Sequence, residues 1–177
     1  MRKFEFAEKV IEINDKEEVV RQYPQAKLPV YETKYSAGAD FFCAEDVIIP
    51  PTRTMEVVDD DGNSDIAIVG VPVKVHTGIR ACMAEDEALF LYNRSGNPKK
   101  LGLVLANGVG VVDSDYYKNP GNDGEIMFAF YNFSGKEVRL HIGDRIGQGV
   151  FQKFLRPDNA NVNDRKREGG FGHTGDK

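Results

Sequence analysis

Residues 103–113 read LVLANGVGVVD, and the pair Asn107-Gly108 separates two short apolar runs within them. Both residues of such a pair readily accept the positive φ that a two-residue hairpin turn requires. The segment therefore predicts two neighbouring β-strands joined by a tight turn at Asn107-Gly108. The second predicted strand ends in a carboxylate, that of Asp113.

Similar runs of β-branched and aromatic residues recur on both sides of this segment, each bounded by turn-forming residues. Few stretches have helical periodicity, and a short helix is predicted only over residues 15–22. The pattern is typical of an all-β sandwich, barrel or jelly roll. The other runs are FFCAEDVIIPP (41–51), IAIVGVPVKV (66–75), ALFLY (88–92), EIMFAFYNF (125–133) and RIGQGVFQKF (145–154).

Length and charge narrow the function classes. The chain has 177 residues, enough for one domain of ordinary size. Its 23 basic and 28 acidic residues give a formal net charge of −5, so a polymeric nucleic-acid partner is not expected.

No apolar stretch approaches the length of about 18 residues that suggests a membrane span. The two cysteines lack the spacing of a disulfide framework or zinc site, which favours reduced thiols and a cytoplasmic protein.

An acidic stretch, DDDGNSD (59–65), places oxygen-bearing side chains at alternate positions, as a calcium-binding loop does. Its glycine stands at the fourth position instead of the sixth, and Gly70 occupies the place of the bidentate glutamate. A solvated surface turn is therefore favoured over a calcium site.

Two other segments carry groups that can bind phosphate or act on it. Arg94-Ser95-Gly96 offers a guanidinium, a hydroxyl and a backbone amide, which can clamp a phosphate, although such a tripeptide alone is usually a loop. Asp113 and Tyr116 offer a general base beside an aromatic platform, or simply a turn that ends a strand.

The chain from residue 156 onward contains few core-forming residues and is predicted to be a flexible arm. Gly170, Gly172 and Gly175 match GxGxxG, but only two residues follow them, so no helix can present its N-terminus to a pyrophosphate. Clustered glycines beside Arg167 and Phe171 are instead typical of an arm that closes over an aromatic ligand carrying phosphates.

Taken together and in order, these segments resemble the five motifs of the homotrimeric dUTPase family over roughly residues 27–175. The resemblance implies a jelly-roll β domain at 27–155, preceded by an N-terminal extension at 1–26 and followed by a C-terminal arm at 156–177 that closes over an active site. The matching segments are SAGADFFCAED (36–46), RSG (94–96), NGVGVVDSDY (107–116), GDRIGQ (143–148) and REGGFGHTG (167–175).

The resemblance further implies a homotrimer with shared active sites that hydrolyses dUTP to dUMP and pyrophosphate with Mg²⁺. This activity limits uracil incorporation into DNA and supplies dUMP for thymidylate synthesis. By the same resemblance, Asp113 activates the attacking water. Arg94 and Gln148 bind phosphate oxygens and stabilise the developing charge. Asp40 holds Mg²⁺ through water, while the triphosphate is its main ligand.

Substrate recognition is implied in the same way. Tyr116 packs against the sugar and excludes a 2′-hydroxyl, Phe171 stacks on uracil when the arm closes, and Arg167 meets the γ-phosphate. The residues implied to bind substrate are Ser95, Gly96, Asn107, Gly110, Val111, Val112, Tyr116, Met127, Arg167, Phe171, Gly172, His173 and Thr174.

Two alternatives remain on this fold. A dCTP deaminase, or a bifunctional deaminase and dUTPase, would use Glu125 as a general base, but the complete fifth motif favours the hydrolase. A nucleotide-gated regulatory binding protein is the second alternative, and Asp113 argues against a purely structural role. The chain also departs from the commoner family pattern at Asn93, where a proline often stands, and in its longer loop 117–123.

Overall fold

The computed structural model describes residues 1–161, apart from the side chains of Thr54 and Ile68. This part of the chain consists of β-strands, a π-helical turn at Asn97–Leu101 and a 3₁₀ turn at Ser114–Tyr116. The strands are β1 (Lys3–Phe6), β2 (Glu8–Ile13), β3 (Lys16–Arg21), β4 (Ala39–Phe42), β5 (Val47–Ile49), β6 (Arg53–Val58), β7 (Ser64–Val69), β8 (Val73–His76), β9 (Ile79–Cys82), β10 (Glu87–Asn93), β11 (Leu103–Leu105), β12 (Gly110–Asp113), β13 (Met127–Asn132), β14 (Val138–Leu140) and β15 (Arg145–Lys153).

The strands pair antiparallel throughout the described sheets. A four-stranded sheet in the order β12-β10-β15-β4 packs against a three-stranded sheet in the order β11-β13-β8. Two-stranded pairs β14-β5, β1-β9, β2-β3 and β6-β7 complete the arrangement. This jelly-roll-like sandwich confirms the predicted all-β fold class.

Aromatic side chains join the two main sheets. The ring of Phe41 on β4 lies 5.6 Å from that of Phe128 on β13, centroid to centroid, and both side chains are fully buried. Phe4 on β1 packs edge-to-face on Phe41 at 5.4 Å and lies 5.2 Å from Phe151. The N-terminal strand therefore contributes to the same core as the residues that follow position 27.

The short helix predicted over residues 15–22 is wrong. β2 and β3 form a hairpin there, and its turn residues Asn14 and Asp15 have φ values of 51° and 60°. Positive φ at both turn positions is the geometry of a two-residue hairpin, which Asn and Asp tolerate better than most residues. The β-branched Val19 and Val20 on the following strand also favour extended backbone.

The two-residue hairpin predicted at Asn107-Gly108 is also wrong, although both flanking strands exist. β11 pairs with β13 in one sheet, whereas β12 pairs with β10 in the other. Gly108 has a φ of 66°, but Asn107 does not have the positive φ that such a turn requires. The apolar runs on either side of the turn are thus recruited by different sheets, and residues 106–109 cross between them.

The acidic stretch 59–65 forms the turn between β6 and β7, as the favoured surface-turn interpretation expects. Asp59 closes this turn by accepting the backbone N–H groups of Asp61 and Asn63 at 3.0 and 2.8 Å. Both cysteines are free thiols, and burial raises the pKa of Cys43 to about 11. In residues 1–161, neither helical turn has the length and apolarity needed to cross a membrane.

Candidate active site

Three of the five motif segments meet on the four-stranded sheet. Asp40 on β4 lies opposite Gln148 on β15, and Gln148 lies opposite Tyr92 on β10. The Asp40 carboxylate is 14% exposed, with Oδ1 3.6 Å from Arg94 Nε and Oδ2 3.3 Å from Arg145 Nη1. The structure therefore brings Asp40, Arg94 and Gln148 together, with two guanidinium groups beside one carboxylate.

A cavity of about 280 Å³ opens beside this group. Gly38 forms part of its wall, and a Cβ atom on Gly38 would lie only 2.6 Å from Gln148 Oε1. A side chain at position 38 would therefore displace the Gln148 amide where the first motif approaches the fourth. The cavity is lined by Glu32, Ser36, Ala37, Gly38, Asp40, Tyr92, Gln148 and Val150.

The Arg94-Ser95-Gly96 segment is held by asparagine side chains on both sides. Asn93 Nδ2 donates to the carbonyl oxygen of Leu103 at 2.9 Å, and Asn93 Oδ1 accepts from Asn97 Nδ2 at 2.7 Å. Asn97 Nδ2 also donates to the carbonyl oxygen of Ile146 at 2.8 Å. Asn93, which replaces the usual proline, therefore fixes the start of a loop that leaves Ser95 exposed.

Asp113 directly precedes the 3₁₀ turn that follows β12, and Tyr116 is the last residue of that turn. Asp113 is half-buried and extended, with φ −79° and ψ 159°, and it lies opposite Ala88 on β10. The side chain of Tyr116 is 7% exposed, and its hydroxyl donates to the carbonyl oxygen of Glu125 at 3.0 Å. The turn thus presents a carboxylate next to a firmly held aromatic ring.

The remaining residues implied in base recognition lie on β12, on the turn before it and on β13. Asn107 is exposed, and its amide lies so near Gly110 that a Cβ there would be 3.4 Å from Asn107 Nδ2. Along β12, Gly110 and Val112 are buried while Val111 is exposed. Met127 begins β13 and is half-buried.

Within one chain, Asp113 does not join the group around Asp40. On β10, Asp113 is opposite Ala88 whereas Gln148 is opposite Tyr92, four positions further along the strand. At about 3.3 Å per residue, these two rows are about 13 Å apart. Asp113 also lies on β12, across β10 from Gln148. The two side chains therefore belong to separate rows of the sheet within one copy.

Three residues of this region were not identified from the sequence. Arg145 contacts Asp40 and also Glu32, at 3.0 Å between Nη1 and Oε1. Its presence in GDRIGQ was the available signal. Tyr92 and Glu32 line the cavity, but only the strand register and the chain path place them there, and the sequence carries no signal for either. The predicted residues Arg167, Phe171, Gly172, His173 and Thr174 lie outside the described residues.

Glu125, the general base of the deaminase alternative, is committed to other contacts. Its side chain is 3% exposed and accepts the backbone N–H of Gly78 at 3.0 Å. His76 Nδ1 lies 3.0 Å from Glu125 Oε2, and His76 Nε2 lies 3.9 Å from Glu45 Oε1. The ring of His76 stacks on Tyr23, with centroids 5.1 Å apart. This cluster ties the end of β8 to neighbouring loops, and the deaminase alternative gains no support from it.

The cluster predicts a pH-dependent stability. The hydrogen bond with Glu125 raises the pKa of His76 above its ordinary value of 6.5, although burial opposes the shift. A raised folded-state pKa stabilises the protein fully below the unfolded pKa, and this contribution is lost as pH rises through the folded-state pKa. Urea unfolding between about pH 6 and pH 9 should therefore show a loss of stability that His76→Gln reduces. The exposed His141→Gln is the matched control, and equal pH dependence in all three proteins would contradict the assignment.

Comparisons with known proteins agree with this geometry. The dUTPase family model matches residues 62–175. The deoxyuridine 5′-triphosphate nucleotidohydrolase of Lactococcus lactis is 40% identical over 161 residues, covering 89% of this chain and 95% of the relative. That of Haemophilus ducreyi is 35% identical over 160 residues, covering 88% and 89%. The crystal structure of dUTPase from Streptococcus mutans superposes with a TM-score of 0.65 at 36% identity, covering 88% of this chain and 98% of that one. The chain belongs to the dUTPase family.

Proposed function

We propose that this protein hydrolyses dUTP to dUMP and pyrophosphate. The observation that carries the proposal is the group formed by Asp40, Arg94 and Gln148, three motif residues held side by side at the edge of a cavity. Relatives that are 40% and 35% identical over most of the chain are named for this activity. In the cell, the reaction would limit uracil incorporation into DNA and supply dUMP for thymidylate synthesis.

In the proposed reaction, Asp113 accepts a proton from water as the water oxygen forms a bond to the α-phosphorus. The bond from the α-phosphorus to the bridging oxygen breaks, and pyrophosphate leaves. Arg94 and Gln148 bind phosphate oxygens and stabilise the charge that develops in the transition state, with Ser95 and Gly96 beside them. The fixed Asn93–Asn97 contact supports this role, because it holds the loop before substrate arrives.

Mg²⁺ is the proposed cofactor. Among residues 1–161 no group of three or more His, Cys, Asp and Glu side chains could hold a metal ion. Asp40, a half-buried carboxylate that lines the cavity, is proposed to contact through water an ion ligated mainly by the triphosphate. When bound, Mg²⁺ would neutralise charge on the phosphate oxygens.

The proposed assembly is a homotrimer in which three copies share each site. The distance of about 13 Å between the backbone rows of Asp113 and Gln148 along β10 supports sharing, since it sets the two residues of one copy apart on the sheet. One copy would supply the first, second and fourth motifs, another the segment 107–116, and the third its C-terminal arm. The organisation proposed for each copy is an extension at 1–26, a β domain at 27–155 and an arm at 156–177.

In this assembly, Asn107 and the backbone around Val111 would recognise uracil, with Gly110, Val112 and Met127 beside them. Backbone groups at fixed spacing can favour uracil over cytosine, because one exocyclic group changes from acceptor to donor. From the arm, Arg167 would meet the γ-phosphate and Phe171 would stack on the base, with Gly172, His173 and Thr174 adjoining. The free thiols of Cys43 and Cys82 support a cytoplasmic location.

Turnover of a panel of deoxynucleoside triphosphates, with and without Mg²⁺, tests the proposal. We expect dUMP and pyrophosphate from dUTP in the presence of Mg²⁺, with far slower turnover of dCTP, dTTP and UTP. Formation of dUTP from dCTP would instead establish the deaminase alternative. Tight binding of dUTP without any turnover would favour the nucleotide-gated regulatory protein.

A further inference from the structure

The loop at 117–124, longer here than in the commoner family pattern, folds back onto Tyr116. Asn122 Nδ2 donates to the Tyr116 hydroxyl oxygen at 2.9 Å and to the carbonyl oxygen of Glu125 at 3.0 Å. The Tyr116 hydroxyl in turn donates to the same Glu125 carbonyl at 3.0 Å. Three polar groups thus form a closed triangle around the end of the ring.

The carbonyl side of Asn122 is used as fully as its amino side. Asn122 Oδ1 accepts from Asn119 Nδ2 at 2.8 Å and from the backbone N–H of Gly124 at 3.2 Å. Asn119 Nδ2 also donates to the carbonyl oxygen of Tyr116 at 3.0 Å. The loop therefore holds Tyr116 at both ends, through its backbone and through its phenol.

The same loop is tied to the N-terminal strands. Asp123 forms an ion pair with the buried Arg80 and accepts the backbone N–H of Glu8 at 2.7 Å. Arg80 also pairs with Glu5 at 3.2 Å, Nε to Oε2. Lys3, followed by Tyr117 and Arg80, lowers the pKa of Glu5 to about 2. The loop thus contacts an ionised network as well as Tyr116.

We propose that Asn122 is a positioning residue that immobilises the ring of Tyr116 and thereby sets the discrimination between deoxyribose and ribose. The inference rests on the proposed function, in which Tyr116 packs against the sugar. A ring rejects a 2′-hydroxyl only if it cannot move away from the added oxygen. The triangle around the phenol supplies that rigidity, because displacement of the ring would break hydrogen bonds to the half-buried Asn122 and to the carbonyl oxygen of the buried Glu125.

The decisive variant is Asn122→Asp, which keeps the shape of the side chain but removes both donors of Nδ2. It also sets a carboxylate oxygen against the Glu125 carbonyl. The measurement is kcat/KM for dUTP and for UTP. We expect the dUTP-to-UTP ratio to fall by about tenfold, chiefly through faster turnover of UTP. An unchanged ratio would overturn the proposal.

A double-mutant cycle with Tyr116→Phe separates the contact from the general stability of the loop. Phenylalanine keeps the ring but removes the hydroxyl, so this variant alone should also lower the ratio. Adding Asn122→Asp to it should then change the ratio little. An unchanged ratio in Tyr116→Phe, or an undiminished effect of Asn122→Asp in that background, would overturn the proposal. The Tyr116→Phe result decides the matter even if Asn122→Asp fails to fold.

Asp123→Asn is the matched control, because it weakens the anchor on Arg80 without removing a contact to Tyr116. We expect a lower thermal midpoint with the substrate ratio retained, and an equal loss of the ratio would overturn the specific role of Asn122. Wild-type protein that does not hydrolyse dUTP would defeat the proposed function and this inference with it. Normal wild-type turnover with an unchanged ratio in Asn122→Asp would defeat the inference alone.

Discussion

Replacing Asp113 by asparagine is expected to lower kcat for dUTP by about a thousandfold while leaving the fold intact. A positioned general base contributes on the order of a hundredfold to ten-thousandfold to a rate, and the amide cannot accept the proton of the attacking water. Asparagine has almost the same shape, and Asp113 ends a strand with extended backbone that any residue can adopt. The loss should therefore appear in kcat, with little change in the thermal unfolding midpoint.

Asp115→Asn is the matched control for this experiment. Asp115 is exposed on the 3₁₀ turn that follows Asp113, so its replacement makes the same change of charge two residues away. We expect that variant to retain turnover within about threefold of wild type, as surface substitutions away from the chemistry usually do. Substantial activity in Asp113→Asn, or equal losses in the two variants, would remove Asp113 from the role of general base.

Local sequence patterns predicted the strands well but not their partners. The runs that became β10, β13 and β15 were recognisable because β-branched and aromatic residues fit the half-buried surface of a sheet. The hairpin predicted at Asn107-Gly108 was wrong because the turn residues do not indicate which strand pairs with each flanking run. β11 pairs with β13, and β12 pairs with β10. Both pairings join residues that are distant in sequence.

The candidate site could be predicted only as separate motifs. Asp40, Arg94 and Gln148 were identifiable from the resemblance, but their convergence depends on the registers of β4 and β10 with β15. The register of β12 on β10 separates Asp113 from them, which no motif spacing encodes. Asn93 looked like a departure from the pattern, yet its amide holds the loop before the π-helical turn. Such contacts cannot be read from the sequence because they depend on how the chain turns between β10 and β11.

The N-terminal extension illustrates the same limit on another scale. Nothing in its sequence indicates which strand it pairs with, and residues 15–22 within it were predicted to form a short helix. In the structure β1 pairs with β9, and Arg2 forms an ion pair with the buried side chain of Glu87. Through these contacts the four-residue strand joins the main core. Residues 1–26 also support the loop at 117–124, which holds Tyr116.

The largest loss of stability is expected from Gly147→Ala. An ideal Cβ atom on Gly147 would lie 2.0 Å from Cε1 of Phe128, far inside the contact distance of two carbon atoms. The Phe128 ring is buried and packed against Phe41 and Phe130, so it has little room to move aside. Overpacking a core by one methyl group typically costs about 1 to 3 kcal/mol, and this contact should place the variant at about the upper end. Chemical denaturation measures the loss directly.

Gly96→Ala is the stability control, because Gly96 has φ −77° and the nearest atom to its added Cβ would be Lys100 Cδ at 3.9 Å. Its unfolding free energy should stay within about 0.5 kcal/mol of wild type. Comparable losses in both variants would show that the Phe128 contact is not the cause.

Gly147 lies opposite Phe41 on β4 and Asn93 on β10, directly before Gln148. A side chain there would push β15 away from the opposing sheet, and Gln148 would move with it, so the contact between Gly147 and Phe128 also sets the position of Gln148, which is proposed to bind phosphate.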